Sequence, residues 1–344
     1  LEEEPLKRES HLFEEVFSFD NLYRAFGKAF KGSGRTPESC KFHFNLEREL
    51  LDLREGLAGG TYVPTPYRYF KVYDPKERTI SVAPFRDRVV HRALVAVLEP
   101  IFEPVFIYHS YATRKGKGTH RAIRKAQHFL KRNFYYLKMD VEKYFERIDH
   151  SVLLSLVARK IKDKKILNLV EGIVKNNDTS SGSNSGKGLP IGNLTSQFFA
   201  NIYLDPLDHF VKDELGLPGY LRYMDDMVCF SNSRESLRGL LEEVRSFLLE
   251  RLKLRLNPKS TFSNCRLNGL PFLGFRVFPN LIRVKKENIK RIGKRLQARR
   301  EELKQGLITE ERFVMSVRSM FDHVGFADSF VLRTKAMVRR AGVA

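Results

Sequence analysis

The stretch Tyr220 to Phe230, YLRYMDDMVCF, sets two adjacent carboxylates, Asp225 and Asp226, inside an apolar run rich in aromatic residues. That is the composition of a buried strand, and two anions in its middle divide it into two strand-like halves joined at a hairpin turn. Asp favours turns for its own hydrogen-bonding reasons, so the pair alone implies no chemistry. A third carboxylate changes this: Asp140, in YYLKMDVEKYF, also ends an aromatic strand, 85 residues earlier. Three anions gathered without cations repel strongly. Two divalent ions about 3.5–4 Å apart would hold them together, one activating an attacking oxygen and one steadying the leaving oxygen of an in-line phosphoryl displacement. Hard Mg²⁺ suits a few carboxylates combined with substrate phosphates.

Charge indicates the partner. Lys and Arg number 61 against 41 Asp and Glu, a formal charge of +20, and so basic a surface binds polyanions through counterion release. The excess is local. Pro104 to Met139 holds nine Lys and Arg and no acid, and Leu281 to Ala344 holds 16 basic against 7 acidic side chains. Nucleic acid is the favoured partner, with acidic lipid as the alternative. No run of eighteen apolar residues spans a membrane, so a soluble protein with no membrane partner is expected. Cys40, Cys229 and Cys265 have no metal-ligand spacing, which argues against zinc and fits a reducing cytosol. The start, LEEEPLKRES, has neither Met nor a charged-then-apolar leader, so Leu1 is not expected to be the native start.

The order of elements is mixed, and the fold class expected is α+β. YRYFKVYDPKERTISVAP reads as two strands around an Asp74–Pro75 turn, followed by a helix from Arg86 with Val89, Val90, Ala93, Leu94 and Val97 on one stripe. NLTSQFFANIYLDP reads as a helix capped by Asn193 and stopped by Pro206. FLGFRVF reads as a strand, and Ile289, Ile292, Leu296 and Leu303 form the apolar stripe of a basic helix. The low-complexity tract Asn176 to Gly188 reads as a loop.

In this order the segments KMDVEKYF, GLPIGNLTSQ, RYMDDMVCF, LRLNPKSTF and PFLGF resemble the A to E palm motifs of reverse transcriptases. RDRVVHRALVAVLEPIFEP and SYATRKGKGTHRA resemble their fingers motifs, and the resemblance covers roughly Phe19 to Phe330. It implies a right-hand polymerase fold. The N-terminal extension and fingers would be 1–85, the palm 86–150 with a basic template loop at 107–132, more fingers 151–186, the second part of the palm 187–279, and a helical basic thumb 280–344. It also implies Asp140 and Asp225 as principal metal ligands, Asp226 as the third acidic member, the Val141 carbonyl as an extra ligand, and two Mg²⁺ ions, or Mn²⁺, acting on dNTP substrates.

By the same resemblance, Phe145 is the steric gate against a 2′-hydroxyl, and Lys71 and Arg78 are triphosphate contacts. Arg offers phosphate a planar fork and Lys a mobile charge, although a solvated hairpin edge looks the same in sequence. Ile191, Gly192 and Gln197 lie beside the incoming nucleotide. Lys259 resembles the lysine that protonates departing pyrophosphate, with an ordinary surface lysine as the alternative. Phe272, Leu273 and Gly274 resemble the primer grip, and an apolar strand with a Gly bulge describes them equally. Arg114, Lys115, Lys117 and Arg121, with glycines that let backbone approach an anion, would contact template. Lys285, Lys286, Lys290 and Lys294 would contact duplex phosphates.

Many relatives carry Gln where this chain has Ile191 and Pro where it has Gln197. GLPIGNLTSQ, GKGTHRA and FDHVGFADSF are similar to the reverse transcriptases of diversity-generating retroelements, bacterial or phage-encoded cytoplasmic enzymes that copy a template RNA with errors at adenine. That subtype implies a template RNA, an RNA/DNA duplex and a small basic accessory protein, the pentameric variability determinant, as partners. Group II intron-like or antiviral defence reverse transcriptases are the alternative, and a non-catalytic RNA-binding relative is a third reading. Ile occupies volume where Gln would donate and accept hydrogen bonds. One net bond is worth about 0.5–1.5 kcal/mol, so its loss weakens discrimination by roughly twofold to tenfold.

Overall fold

The computed structural model describes residues 12–33, 36–73, 77–176 and 186–330. The Asp74–Pro75 turn, most of the Asn176–Gly188 loop and the basic residues after 330 lie outside the described residues. The chain opens with helices α1 (Phe13–Phe17), α2 (Phe19–Lys31), α3 (Pro37–Phe44) and α4 (Leu46–Ala58). Ser18 and Thr36 cap α2 and α3 by accepting backbone N–H groups of Asn21 and Ser39, which satisfies donors the helix cannot. Apolar faces carrying Leu22, Phe26, Leu50 and Leu53 pack around α5 (Phe85–Phe102), itself buried along most of its length. Between α4 and α5 stands the antiparallel hairpin β1 (Arg68–Tyr73) and β2 (Glu77–Val82).

The centre is a four-stranded antiparallel sheet in the order β4-β5-β3-β6. Its strands are β3 (Tyr135–Asp140), β4 (Tyr220–Tyr223), β5 (Asp226–Ser231) and β6 (Phe262–Cys265). Helices α6 (Thr119–Arg132), α7 (Tyr144–Arg147), α8 (His150–Ala158), α9 (Lys164–Lys175), α10 (Leu194–His209) and α11 (Arg234–Leu252) surround or precede it. Successive strand residues face opposite ways, and the two faces feed two cores. Leu137, Met139, Met227 and Cys229 join the helices α5 and α8–α11. Tyr136, Leu221, Val228 and Phe230 join α6 and a second sheet, β7 (Leu270–Phe272), β8 (Phe275–Val277) and β9 (Ile282–Val284). The thumb-like hairpin α12 (Lys286–Lys304) and α13 (Glu310–Gly325) follows β9.

Three sequence expectations change here. The helix α10 does not stop at Pro206; it reaches His209 and passes into a π-helical turn, Phe210–Glu214. A mid-helix Pro forfeits one hydrogen bond and crowds a carbonyl, a cost offset because the continuing turn buries Leu207 and brings Asp208 to Arg222. Asn193 sits at the N-cap, but its side chain donates to the Ser81 carbonyl at 3.2 Å instead of capping. FLGFRVF is a hairpin, not one strand: Leu273 and Gly274 both have positive φ, +46° and +87°, and turn β7 into β8, the combination a tight two-residue turn needs.

Candidate active site

The hairpin β4–β5 turns on Met224 and Asp225, with Met224 at φ +56°, so Asp226 is the first residue of β5 and not a second turn residue. The turn is held from beneath. The Arg222 side chain is fully buried and donates to both Asp208 oxygens at 2.6–2.9 Å, to Asn201 Oδ1 at 3.1 Å and to the Met224 carbonyl at 3.1 Å. Tyr220 donates its hydroxyl to the same Asp208 at 2.7 Å. A planar guanidinium with five donors can serve a carboxylate and the turn together, and the low dielectric strengthens each bond.

Asp140 lies directly across from Asp226 in the β3–β5 register. Alternation puts Tyr136, Lys138 and Asp140 on one face with Asp226, Val228 and Phe230. Tyr136, Val228 and Phe230 are covered by the second core, whereas Lys138, Asp140 and Asp226 occupy its half-exposed end. Burial and the neighbouring Asp140 push Asp225 up to about 6, and burial with Asp226 raises Asp140. The three carboxylates are thus electrostatic neighbours, as like charges sharing a partly desolvated site must be.

They are not, however, an anionic cluster without cations. Lys138 forms an ion pair with Asp226, because it stands two residues before Asp140 on the same strand face. Asn257 donates to Asp140 Oδ2 at 3.2 Å, and its backbone N–H bonds the Asp140 carbonyl at 2.7 Å. Among the described residues no group of three or more His, Cys, Asp or Glu is placed to hold a metal ion: Lys138 and Asn257 each engage one carboxylate. Val141, next along, is buried and bridges Leu256. Sequence reading missed Arg222, Lys138 and Asn257 as partners of the site. Lys138 had a signal in its i, i+2 spacing to Asp140; Arg222 and Asn257 had none, since Asp208 and Asp140 are distant in sequence.

Other predicted residues fall into groups. Phe145, half-buried, meets the loop before α10: its carbonyl accepts from Leu189 N–H at 2.7 Å, two residues before Ile191. Ile191 accepts from Ser81 N–H at 2.8 Å, tying that loop to β2. Gly192 has φ +115°, and a Cβ there would lie 2.9 Å from Ile80 Cγ2, so only glycine lets the loop approach the hairpin this closely. Gln197 is half-buried on the first turns of α10. Phe145, Ile191, Gly192 and β2 are therefore brought together. Lys71 and Arg78 are not: Lys71 pairs with Thr79 across the hairpin and Arg78 with Val72, which puts their side chains on opposite faces. Arg78 shares the face of Ile80, the residue against Gly192, whereas Lys71 pairs with Glu77 at 2.6 Å on the other.

The basic loop divides similarly. Arg114 is a structural residue, its side chain 6% exposed, bound to Glu103 and to the carbonyls of Ile107 and Ser110. Lys117 folds back on the Tyr108 carbonyl and ring. Carbonyls of the irregular 103–110 segment hold both cations; Lys115 and Arg121 remain exposed. At the far side, Phe272 is buried, Leu273 is half-buried, and the Gly274 carbonyl accepts from Lys285 N–H and from Asn288 Nδ2 at 2.9 Å. Lys285 is thus half-buried at the head of α12, its pKa lowered by burial and by Lys138, while Lys286, Lys290 and Lys294 follow one exposed face. Lys259 is exposed, its N–H bonded to Asn257 Oδ1.

Comparison with known proteins fits this geometry. The family model described as reverse transcriptase (RNA-dependent DNA polymerase) matches residues 72–277. Protein YkfC of Escherichia coli (strain K12) is 29% identical over 276 residues, 67% of this chain and 72% of YkfC. The group II intron-encoded protein LtrA of Lactococcus lactis subsp. cremoris is 29% identical over 252 residues, 68% of this chain and 40% of LtrA. Apo telomerase from Candida tropicalis, truncated from its C-terminal domain, resembles the chain in fold, with a TM-score of 0.50 and 14% identity over 64% of this chain and 56% of that one. The chain therefore spans less than two thirds of LtrA and of the telomerase. With the family match running through the whole carboxylate-bearing sheet and more than half of its length, the chain has a right-hand polymerase fold and belongs to the reverse transcriptase (RNA-dependent DNA polymerase) family.

Proposed function

We propose that the chain is the RNA-directed DNA polymerase of a diversity-generating retroelement, copying a template RNA into cDNA with errors at adenine. The observation that carries the polymerase reading is the meeting of Asp140 and Asp226 at the half-exposed end of one sheet face, with Asp225 beside them in the β4–β5 turn. The donor set, three carboxylates and the Val141 carbonyl, is one of hard oxygens that suits Mg²⁺ or Mn²⁺. Burial first, and the neighbouring carboxylates second, raise Asp140 and Asp225, a penalty on their charged forms that bound divalent cations would relieve. When bound, two such ions supply the charge stabilisation of in-line nucleotidyl transfer.

The chain's own residues do the rest. Arg222 fixes the turn that carries Asp225, and Asn257 orients Asp140. Lys138 neutralises Asp226, and a bound divalent cation would take over that role. Phe145 bounds the sugar of a dNTP, Gly192 and Gln197 border the nascent pair, and Arg78 reaches the triphosphate from the hairpin. Phe272, Leu273 and Gly274 seat the primer, Lys259 serves the departing pyrophosphate, and Lys115, Arg121, Lys286, Lys290 and Lys294 hold nucleic-acid phosphates. In this reading the N-terminal extension and fingers are 1–85, the palm 86–150 and 187–279, more fingers 151–186 and the thumb 280–344. The retroelement assignment rests on GLPIGNLTSQ, with Ile191 and Gln197, and on GKGTHRA and FDHVGFADSF, and it carries the basic accessory protein as a partner.

Primer extension on an RNA template with dNTPs and Mg²⁺ tests the activity. Asp225→Ala should lower the rate by on the order of 10³-fold or more; an active variant would remove Asp225 from the site. A second reading, a group II intron-like enzyme, is favoured by the identity with LtrA over 68% of the chain. Sequenced products separate them, since errors spread evenly over template bases would support the intron-like reading.

A further inference from the structure

We propose that Phe326 and Asp328 form a clasp that sets the angle of the α12–α13 hairpin over the β7–β9 sheet, making Phe326 a positioning residue for the bound duplex. The proposal rests on the polymerase reading above. Its material is the end of FDHVGFADSF, which follows α13 and contributes no residue to the carboxylate site.

The Phe326 ring stacks on His120 with centroids 3.9 Å apart and planes 7° from parallel. It meets Phe275 edge-on at 5.5 Å and 76°, and the Arg124 guanidinium lies 5.8 Å from its centroid. One ring therefore touches α6, which forms the second half of the 107–132 segment expected as a basic loop, and β8, which starts just after the Leu273–Gly274 turn. Two residues on, Asp328 makes a reciprocal pair with Ile282. Its carboxylate accepts the Ile282 N–H at 2.7 Å, and its own N–H donates to the Ile282 carbonyl at 2.9 Å. Ser329 closes the turn by donating to the Val324 carbonyl at 2.7 Å, and Val324, Ala327 and Ser329 are buried.

The other end of the helical hairpin is attached three residues along the same strand direction. Lys285 N–H and Asn288 Nδ2 both donate to the Gly274 carbonyl, at 3.2 and 2.9 Å. A helical hairpin fixed at one end pivots freely. One fixed at Ile282 and again at Lys285, about 10 Å apart at strand rise, tilts only by breaking an attachment. The clasp therefore couples three things: the slope of the exposed Lys286, Lys290 and Lys294 face, the Gly274 turn, and the helix behind the basic loop. Losing it leaves the carboxylates untouched and changes how long the duplex stays seated.

The test uses the full chain with an RNA template, a DNA primer and a heparin trap. Phe326→Leu keeps an apolar side chain but removes the ring; His120→Ala removes the stack from its exposed side and is not expected to affect folding. Each should cut the nucleotides added per binding event by about two- to tenfold, the factor matching about 0.5–1.5 kcal/mol for an aromatic pair. Single-nucleotide addition at saturating primer–template should be unchanged, Phe326→Tyr should behave as wild type, and the double variant should be no worse than the poorer single one. Amide exchange at Ile282 and Lys285 should speed up in Phe326→Leu. Unchanged run length and exchange in both single variants, or an equal loss of single-nucleotide addition, overturns the clasp. If the wild-type chain extends no primer, the polymerase reading fails separately, and the exchange rates alone decide the clasp.

Discussion

Two hairpins of this molecule carry predicted active-site residues and are built in opposite ways. In β4–β5 the strands are buried, and the Arg222–Asp208–Tyr220 network grips the turn from inside. In β1–β2 every residue of β1 is exposed, including Phe70 and Tyr73, and the hairpin is tied to the rest of the molecule by the Arg68–Glu38 ion pair and by Ile80 and Ser81 against the loop Ile191–Asn193. An isolated two-stranded hairpin is marginal in water. The groups proposed to perform the chemistry are thus preorganised by folding, and the groups proposed to grip substrate sit where little folding energy is at stake. Moving one hairpin should cost stability, and moving the other should cost only substrate affinity.

The largest effect that would break this contrast is on stability. Arg222→Met should destabilise the chain by about 3–5 kcal/mol in urea unfolding, because Asp208 is left buried and uncompensated. Adding Asp208→Leu should recover much of the loss. A loss under about 1 kcal/mol in the single variant would show that the palm hairpin is no better anchored than the other.

Acid should reveal the same packed body. His91 on α5 is fully buried, which lowers its pKa to about 4 from the ordinary 6.5. Above pH 6.5 it is neutral whether folded or unfolded and contributes nothing. As pH falls from 6.5 toward 4 the unfolded state takes up the proton first, so stability should drop by up to about 1.4 kcal/mol per pH unit. Melting temperatures of His91→Gln should fall less steeply over that window; parallel curves would remove His91 from the account.

On the exposed hairpin, Arg78→Ala should change stability by less than about 0.5 kcal/mol and raise the KM for dNTP by about 10- to 100-fold, the worth of a charge-assisted hydrogen bond. Lys71→Ala should do much less, because Lys71 faces away from Gly192 and pairs with Glu77. Equal KM effects would mean that the hairpin twists in use. The smallest effect joins both regions: Ile191→Gln should lower misincorporation opposite template adenine by roughly twofold to tenfold. An unchanged error spectrum would leave Ile191 as a packing residue bonded to β2.

Much of this was legible because it is local. Aromatic, apolar runs marked β3, β4 and β5, and two aspartates in an apolar run required a turn beside them. The element order gave α+β, and the motif order gave the family. What misled was also local: Pro206 reads as a stop, and FLGFRVF as one strand, because neither window contains Asp208's distant partner or the positive φ of Leu273.

Sequence by itself determined which residue types are present and at what spacing: three carboxylates on two strand ends, a surplus of cations, and Ile191 where an amide is common. Only the tertiary structure decided what each charge does. Identical arginines and lysines became a buried clamp at Arg222, a spent loop anchor at Arg114, a counterion at Lys138, and an exposed stripe at Lys286, Lys290 and Lys294. The reason is physical: a cation's role depends on how much water it keeps and which anion or carbonyl folding brings to it, and the anions lie 11 to 88 residues away along the chain.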